Sequence, residues 1–121
     1  MIFVVGIGGI LGAITRFLLS KWISSKVTTT FPIGTWIINI TGSFILGCLF
    51  VLHSNGDISA WLWLFFGVGF LGAYTTFSTF GYETVHLIEK KDFGTAILYV
   101  LSSVLISVGF AWIGILLSGG R

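Results

Sequence analysis

Four apolar runs, each near the ~20 residues that cross a bilayer, occupy most of this 121-residue chain. They fall at about Ile2 to Leu19 or Trp22, Pro32 to Leu52, Ala60 to Leu87 and Phe93 to Leu117. The connections, Lys21 to Phe31, His53 to Ser59 and Ile88 to Asp92, leave no room for a domain outside the membrane. Only 8% of the residues are charged, and mean hydropathy is +1.06. A soluble domain this small keeps too much of its surface exposed to hide that composition. The sequence therefore predicts an all-α membrane protein of four transmembrane helices, forming a single domain over residues 1–121. The first run lacks a basic leader and a small-residue cleavage site, so it is read as a span and not a signal peptide. A net charge of +2 gives no reason to expect nucleic acid as a partner.

The third run is not an ordinary lipid-facing helix. Gly67, Gly69 and Gly72 loosen it, since each glycine costs roughly 1 kcal/mol against alanine. Hydroxyls then crowd Thr75, Thr76, Ser78 and Thr79. Such side chains can satisfy backbone groups that a helix break sets free. A break of that kind at membrane depth requires surrounding protein or a water-filled path. The sequence thus predicts a third helix broken mid-membrane, beside an ion or solute site. Phe77 and Phe80, three apart, share a face. They interleave with hydroxyls, which makes plain packing a poor explanation for them.

The other spans offer partners. Thr35, Asn39 and Ser43 lie at i, i+4 and i+8 in the second, and Tyr99, Ser103 and Ser107 do so in the fourth. Each set is one helical stripe. Asn39 serves either as an interhelical hydrogen bond that holds the bundle or as a donor to a solute. The serines either bond back to their own helix or line a shared path. Arg16 either snorkels to the interface or lines the mouth of an anion path. Glu83 is either a solvated interfacial carboxylate or a group that gates a pore end. Gly8 with Gly12, and Gly9 with Ala13, form small-residue pairs for close helix packing. His53, His86 and the single cysteine, Cys48, have no metal-ligand spacing.

Catalysis is not expected, because the spans contain no buried Asp and no nucleophile with a base. No ionisable residue sits mid-span as a proton-coupled transporter requires. What the middle offers is an amide, hydroxyls and ring edges, which carry the positive part of the aromatic quadrupole. Those groups suit a small anion, while freed carbonyls suit a hard cation.

The motifs of the chain resemble those of the Fluc (CrcB) family of fluoride channels. They are Gly12-Ala13 before Arg16, the run Pro32, Gly34, Thr35, Asn39, Gly42, Ser43, and Gly72, Thr75-Thr76-Phe77-Ser78-Thr79-Phe80, Glu83. The resemblance spans the whole chain. It implies an antiparallel, dual-topology dimer in the cell membrane with two fluoride pores, exporting cytoplasmic fluoride passively. It implies Phe77, Phe80, Asn39, Ser78, Thr79, Tyr99, Ser103, Ser107 and Thr35 along the pore, with Arg16 and Glu83 as charges near its ends. It also implies a structural Na+ at the dimer centre, held by the backbone carbonyls of Gly72 and Thr75 from both chains. The rival readings are a small multidrug exporter, which needs a Glu in the first span, and a non-conducting scaffold subunit.

The distribution of lysine is particular to this chain. Loops one and three carry Lys21, Lys26, Lys90 and Lys91, whereas the opposite side has only Arg121. Under the positive-inside rule both termini lie outside. An unbiased homodimer would lack this asymmetry, so the expected partner is either a second, antiparallel copy of this chain or, as the lysines favour, an oppositely oriented paralogue.

Overall fold

A computed structural model describes residues 2–26, 31–75 and 77–119, with the backbone alone at Ser78. All of its regular elements are helices: α1 (Ile2–Lys26), α2 (Ile33–Ser54), α3 (residues 60–74), α4 (Ser78–Glu89) and α5 (Phe93–Leu117). Among the described residues, four segments are long and apolar enough to span a membrane, α3 and α4 together forming the third. The spans match the apolar runs closely, with α1 reaching four residues beyond Trp22. Pro32, where the second apolar run opens, immediately precedes α2 as its N-cap residue, with ψ at 71°. Many large apolar side chains face outward, Ile2, Phe3, Leu105 and Leu117 among them. A bilayer, not water, is the solvent such a surface fits.

The turns follow from local chemistry. Gly56 adopts φ 75° after α2, and the Asp57 N–H reaches back to the Leu52 carbonyl, closing the helix end. Lys91 takes the same left-handed role after α4, with the Asp92 N–H on the Leu87 carbonyl. Asp92 then caps α5 by accepting from the Thr95 N–H.

Within α3 the backbone departs from the sequence expectation. Between short α-helical turns at Ala60–Leu62 and Gly72–Tyr74, the stretch Trp63–Leu71 is π-helical. Its hydrogen bonds close at i→i+5, so positions five apart share a face. This matters for its packing against α1. A β-carbon on Gly8 would collide with the Phe65 carbonyl oxygen, and one on Gly12 with that of Phe70. Gly8 and Gly12 are four apart on an α-helix, while Phe65 and Phe70 are five apart on a π-helix. Each pair projects from one side of its helix, so two glycines meet two carbonyls. Gly69 closes the contact from the other side, lying against the Val5 carbonyl.

The second close pair is α2 with α5. Thr35 pairs with Tyr99, Asn39 and Ser43 share a groove with Ser103 and Ser107, and Gly47 meets the Ala111 carbonyl. Each of these partners lies 64 positions further along the chain, so the helices run parallel and in register. Gly114 lies against the Phe44 carbonyl in the same way. After Tyr74, Thr75 is extended, with φ −77° and ψ 150°, and α4 starts at Ser78. Thr76 lies outside the described residues.

The glycine contacts give a sharp expectation. Gly12→Ala should cost about 1–3 kcal/mol, typical of overpacking, even though alanine favours a helix. Gly6→Ala, with nothing within 4 Å of the new methyl, should leave thermal melting in detergent unchanged or slightly raised.

Candidate functional site

The parallel register of α2 and α5 turns two polar stripes into one polar seam. A groove of about 340 Å³ opens along it, lined by Asn39, Ser43, Thr75, Phe77, Phe80, Ser103 and Ser107, with Leu46 and Val104. Residues from three helices and from the interval between α3 and α4 thus converge. Five of the expected pore residues, Asn39, Phe77, Phe80, Ser103 and Ser107, lie on its walls.

The two phenylalanines are held differently. Phe80 packs on Tyr99 at 5.0 Å between ring centroids, and Phe77 stands 6.2 Å from Phe80. Phe77 is 83% exposed in the single chain. Tyr99 is fully buried, and its hydroxyl donates to Glu83 Oε1 at 3.2 Å. The Thr35 hydroxyl bonds to both of these side chains. Glu83 is therefore tied into the bundle and is not a free interfacial carboxylate.

Ser103 is 5% exposed, and its hydroxyl has no hydrogen-bond partner among the described residues. Bonding back to its own helix, the ordinary habit of a serine in a span, does occur at Ser102, which donates to the Tyr99 carbonyl at 3.4 Å. Ser103 does not follow it. A buried hydroxyl left unpaired costs about 1–3 kcal/mol, so its position on the groove wall calls for a ligand or water there.

A second groove, of about 320 Å³, lies between α1 and α2 and is lined by Arg16, Ser20, Lys21, Ser24, Thr35 and Thr79, with Phe17 and Ile38. Thr79 and Thr35 therefore open onto a basic groove distinct from the phenylalanine groove. Arg16 donates from Nη1 to the Ala73 carbonyl at 3.1 Å. It thus does more than snorkel, holding the end of α3 while its charge lines the groove. Ser20 and Ser24 continue from Arg16 at i+4 and i+8, a third polar stripe that is present in the sequence but absent from the expected site. Ser43, expected only as a member of its stripe, joins the groove wall as well.

Gly72 sits on an exposed face with open space beside its Cα. The backbone at Thr75 is extended and no longer follows the helical geometry of α3. The Thr75 side chain bonds inward, Oγ1 to the Leu71 carbonyl at 2.8 Å. The Ser78 side chain lies outside the described residues.

The arrangement defines a class: a four-span membrane protein with a polar, aromatic-walled groove between its helices and a basic groove beside it. The sequence profile of the family described as "CrcB-like protein, Camphor Resistance (CrcB)" matches residues 3–115. The chain belongs to that family. It is 47% identical over 115 residues to a protein of Moorella thermoacetica named fluoride-specific ion channel FluC 2, covering 95% of this chain and 93% of that one. A protein of Bacillus cereus with the same name is 44% identical over 115 residues, covering 95% and 94%. A protein of Acidobacterium capsulatum named fluoride-specific ion channel FluC is 44% identical over 111 residues, covering 91% and 89%.

Two substitutions separate structural from site hydroxyls. Tyr99→Phe, which strips the bond to Glu83, should lower stability by about 1–3 kcal/mol. Ser103→Ala removes a hydroxyl with no partner, so melting in ligand-free buffer should stay level or rise. A large loss for Ser103→Ala would mean the hydroxyl is paired.

Proposed function

We propose that this chain is a fluoride-selective channel that lets cytoplasmic fluoride leave the cell passively. The observation that carries the reading is the groove where Asn39, Ser103 and Ser107 face Phe77 and Phe80, with the Ser103 hydroxyl unpaired within it. The names of its relatives supply the anion. Fluoride is small and strongly hydrated. A path for it must replace water with hydroxyl, amide and ring-edge contacts, each weak enough to release the ion. Ring edges present the positive part of the quadrupole, and a narrow aromatic wall disfavours larger halides. Arg16 and Lys21 in the second groove draw anions toward the bundle, and Glu83 marks an end of the seam. The multidrug exporter is disfavoured because α1 carries no acidic residue.

In this reading the interval from Tyr74 to Ser78 acts as a helix break with two duties. Its Phe77 ring, together with Ser78 and Thr79 at the start of α4, serves the anion path, and its backbone serves assembly. The fit of a structural Na+ rests on Gly72 and Thr75. Both would offer carbonyl oxygens, the hard ligands a small cation prefers, and open space beside Gly72 leaves room for an approaching partner. The ion, when bound, would offset the mutual repulsion of carbonyl oxygens brought together from two antiparallel chains.

The lysine asymmetry bears on the partner. Lys21 and Lys26 end α1, and Lys90 and Lys91 form the turn between α4 and α5, so four cations lie on one side. We infer that this chain inserts with that side cytoplasmic and pairs with an oppositely oriented paralogue. A C-terminal tag should then be accessible almost wholly from outside the cell, and an equal split would contradict the inference.

Fluoride efflux from liposomes tests the pore. Phe77→Ile or Phe80→Ile should slow it by roughly ten-fold, the equivalent of about 1.4 kcal/mol. Unchanged flux in both would sink the assignment of these rings to the path.

A further inference from the structure

Phe80 is the groove wall that rests on a buried partner, Tyr99, and Tyr99 is held by residues that line neither groove. The Trp36 indole Nε1–H donates to Ser102 Oγ at 3.0 Å. Ser102 Oγ in turn donates to the Tyr99 carbonyl at 3.4 Å. Phe31 sets its edge against Tyr99 at 5.4 Å and 88°, and meets Trp36 at 5.8 Å and 78°. Trp36 therefore reaches Tyr99 by two routes, a hydrogen-bonded one through Ser102 and an aromatic one through Phe31. Tyr99, gripped in this way and fully buried, supplies the surface on which Phe80 rests.

We propose that Trp36 is a positioning residue for the anion path, setting the tilt of Phe80 through Ser102, Phe31 and Tyr99. The inference rests on the channel reading above and adds to it a residue that lines neither groove. Orientation matters because an aromatic ring attracts an anion at its edge and repels it at its face. A ring free to rotate averages the two. Phe77, highly exposed in the single chain, has no comparable support among the described residues, so within one chain only Phe80 is preset. The hydrogen bond between Trp36 and Ser102 also ties α2 to α5 one residue before the seam position Ser103. It holds the helix pair in register at the level where Phe80 enters.

The test uses two isosteric variants. Ser102→Thr keeps an acceptor for the indole, while Ser102→Val has the same shape without it. Trp36→Phe keeps a ring for Phe31 and loses the N–H. Each protein is reconstituted for fluoride efflux. Each is also labelled with 4-fluorophenylalanine at position 80 for fluorine NMR in detergent. Losing one neutral hydrogen bond corresponds to about five-fold in a population. Ser102→Val and Trp36→Phe should therefore each slow efflux by roughly five-fold and shift or broaden the Phe80 signal, with Ser102→Thr close to the parent in both. The double variant Trp36→Phe with Ser102→Val should be no slower than the slower single, because both remove the same bond. Identical Phe80 signals in Ser102→Val and Ser102→Thr would overturn the proposal. So would independent, multiplying losses in the double variant. If the parent carries no fluoride, the channel reading fails, and the Phe80 signal still decides whether Trp36 positions the ring.

Discussion

At membrane depth a polar side chain has no water to fall back on, and the register of α2 against α5 answers that constraint. Because the helices run parallel at a constant 64-position offset, Thr35 meets Tyr99, and Asn39 and Ser43 share a groove with Ser103 and Ser107. Two stripes that would each be costly against lipid become one seam. The glycines make this possible. With a side chain at Gly47 or Gly114, the backbones could not approach, since both positions lie against carbonyl oxygens of the facing helix. Close packing therefore precedes the polar chemistry in the order of causes: small residues bring the helices together, and proximity pairs the polar groups.

The same logic governs α1 and α3, in a different helical geometry. A π-helical Trp63–Leu71 spaces its Phe65 and Phe70 carbonyls to meet Gly8 and Gly12. Arg16 extends this contact by one more turn of α1, where its guanidinium reaches the Ala73 carbonyl. A cation placed there interacts favourably with the negative end of α3. The end of α3 is thereby anchored to α1, while the start of α4 leans through Phe80 and Tyr99 on α5. Thr75 and Phe77, between α3 and α4, line the phenylalanine groove, while Thr79 on α4 lines the basic one.

Much of this is legible in the sequence. Hydropathy fixes the four spans within a few residues, because a bilayer demands a long apolar run and little else does. The i, i+4, i+8 spacing of Thr35, Asn39, Ser43 and of Tyr99, Ser103, Ser107 reveals both stripes, since helical geometry is the same in any context. That the stripes face each other in register is not legible, because it depends on where Gly47 and Gly114 let backbones meet. The π-helix is hidden too. Its residues, WLFFGVGFL, are apolar throughout, so no polar periodicity distinguishes i+4 from i+5. The bond from Arg16 to Ala73 is invisible for another reason: its acceptor is a backbone carbonyl, and no side-chain pattern records it. Ser20 and Ser24 are visible beside Arg16, but their meaning needs the Thr79 side of the groove.

Conduction of fluoride, with larger halides excluded, is what the proposed role of the seam requires. The parent protein, reconstituted into potassium-loaded liposomes with a potassium ionophore to balance charge, permits the comparison directly. Internal fluoride in one preparation and internal chloride in another should give rapid fluoride efflux and a chloride trace no different from protein-free liposomes. Equal rates for the two halides, or no fluoride release above the protein-free control, would contradict the account.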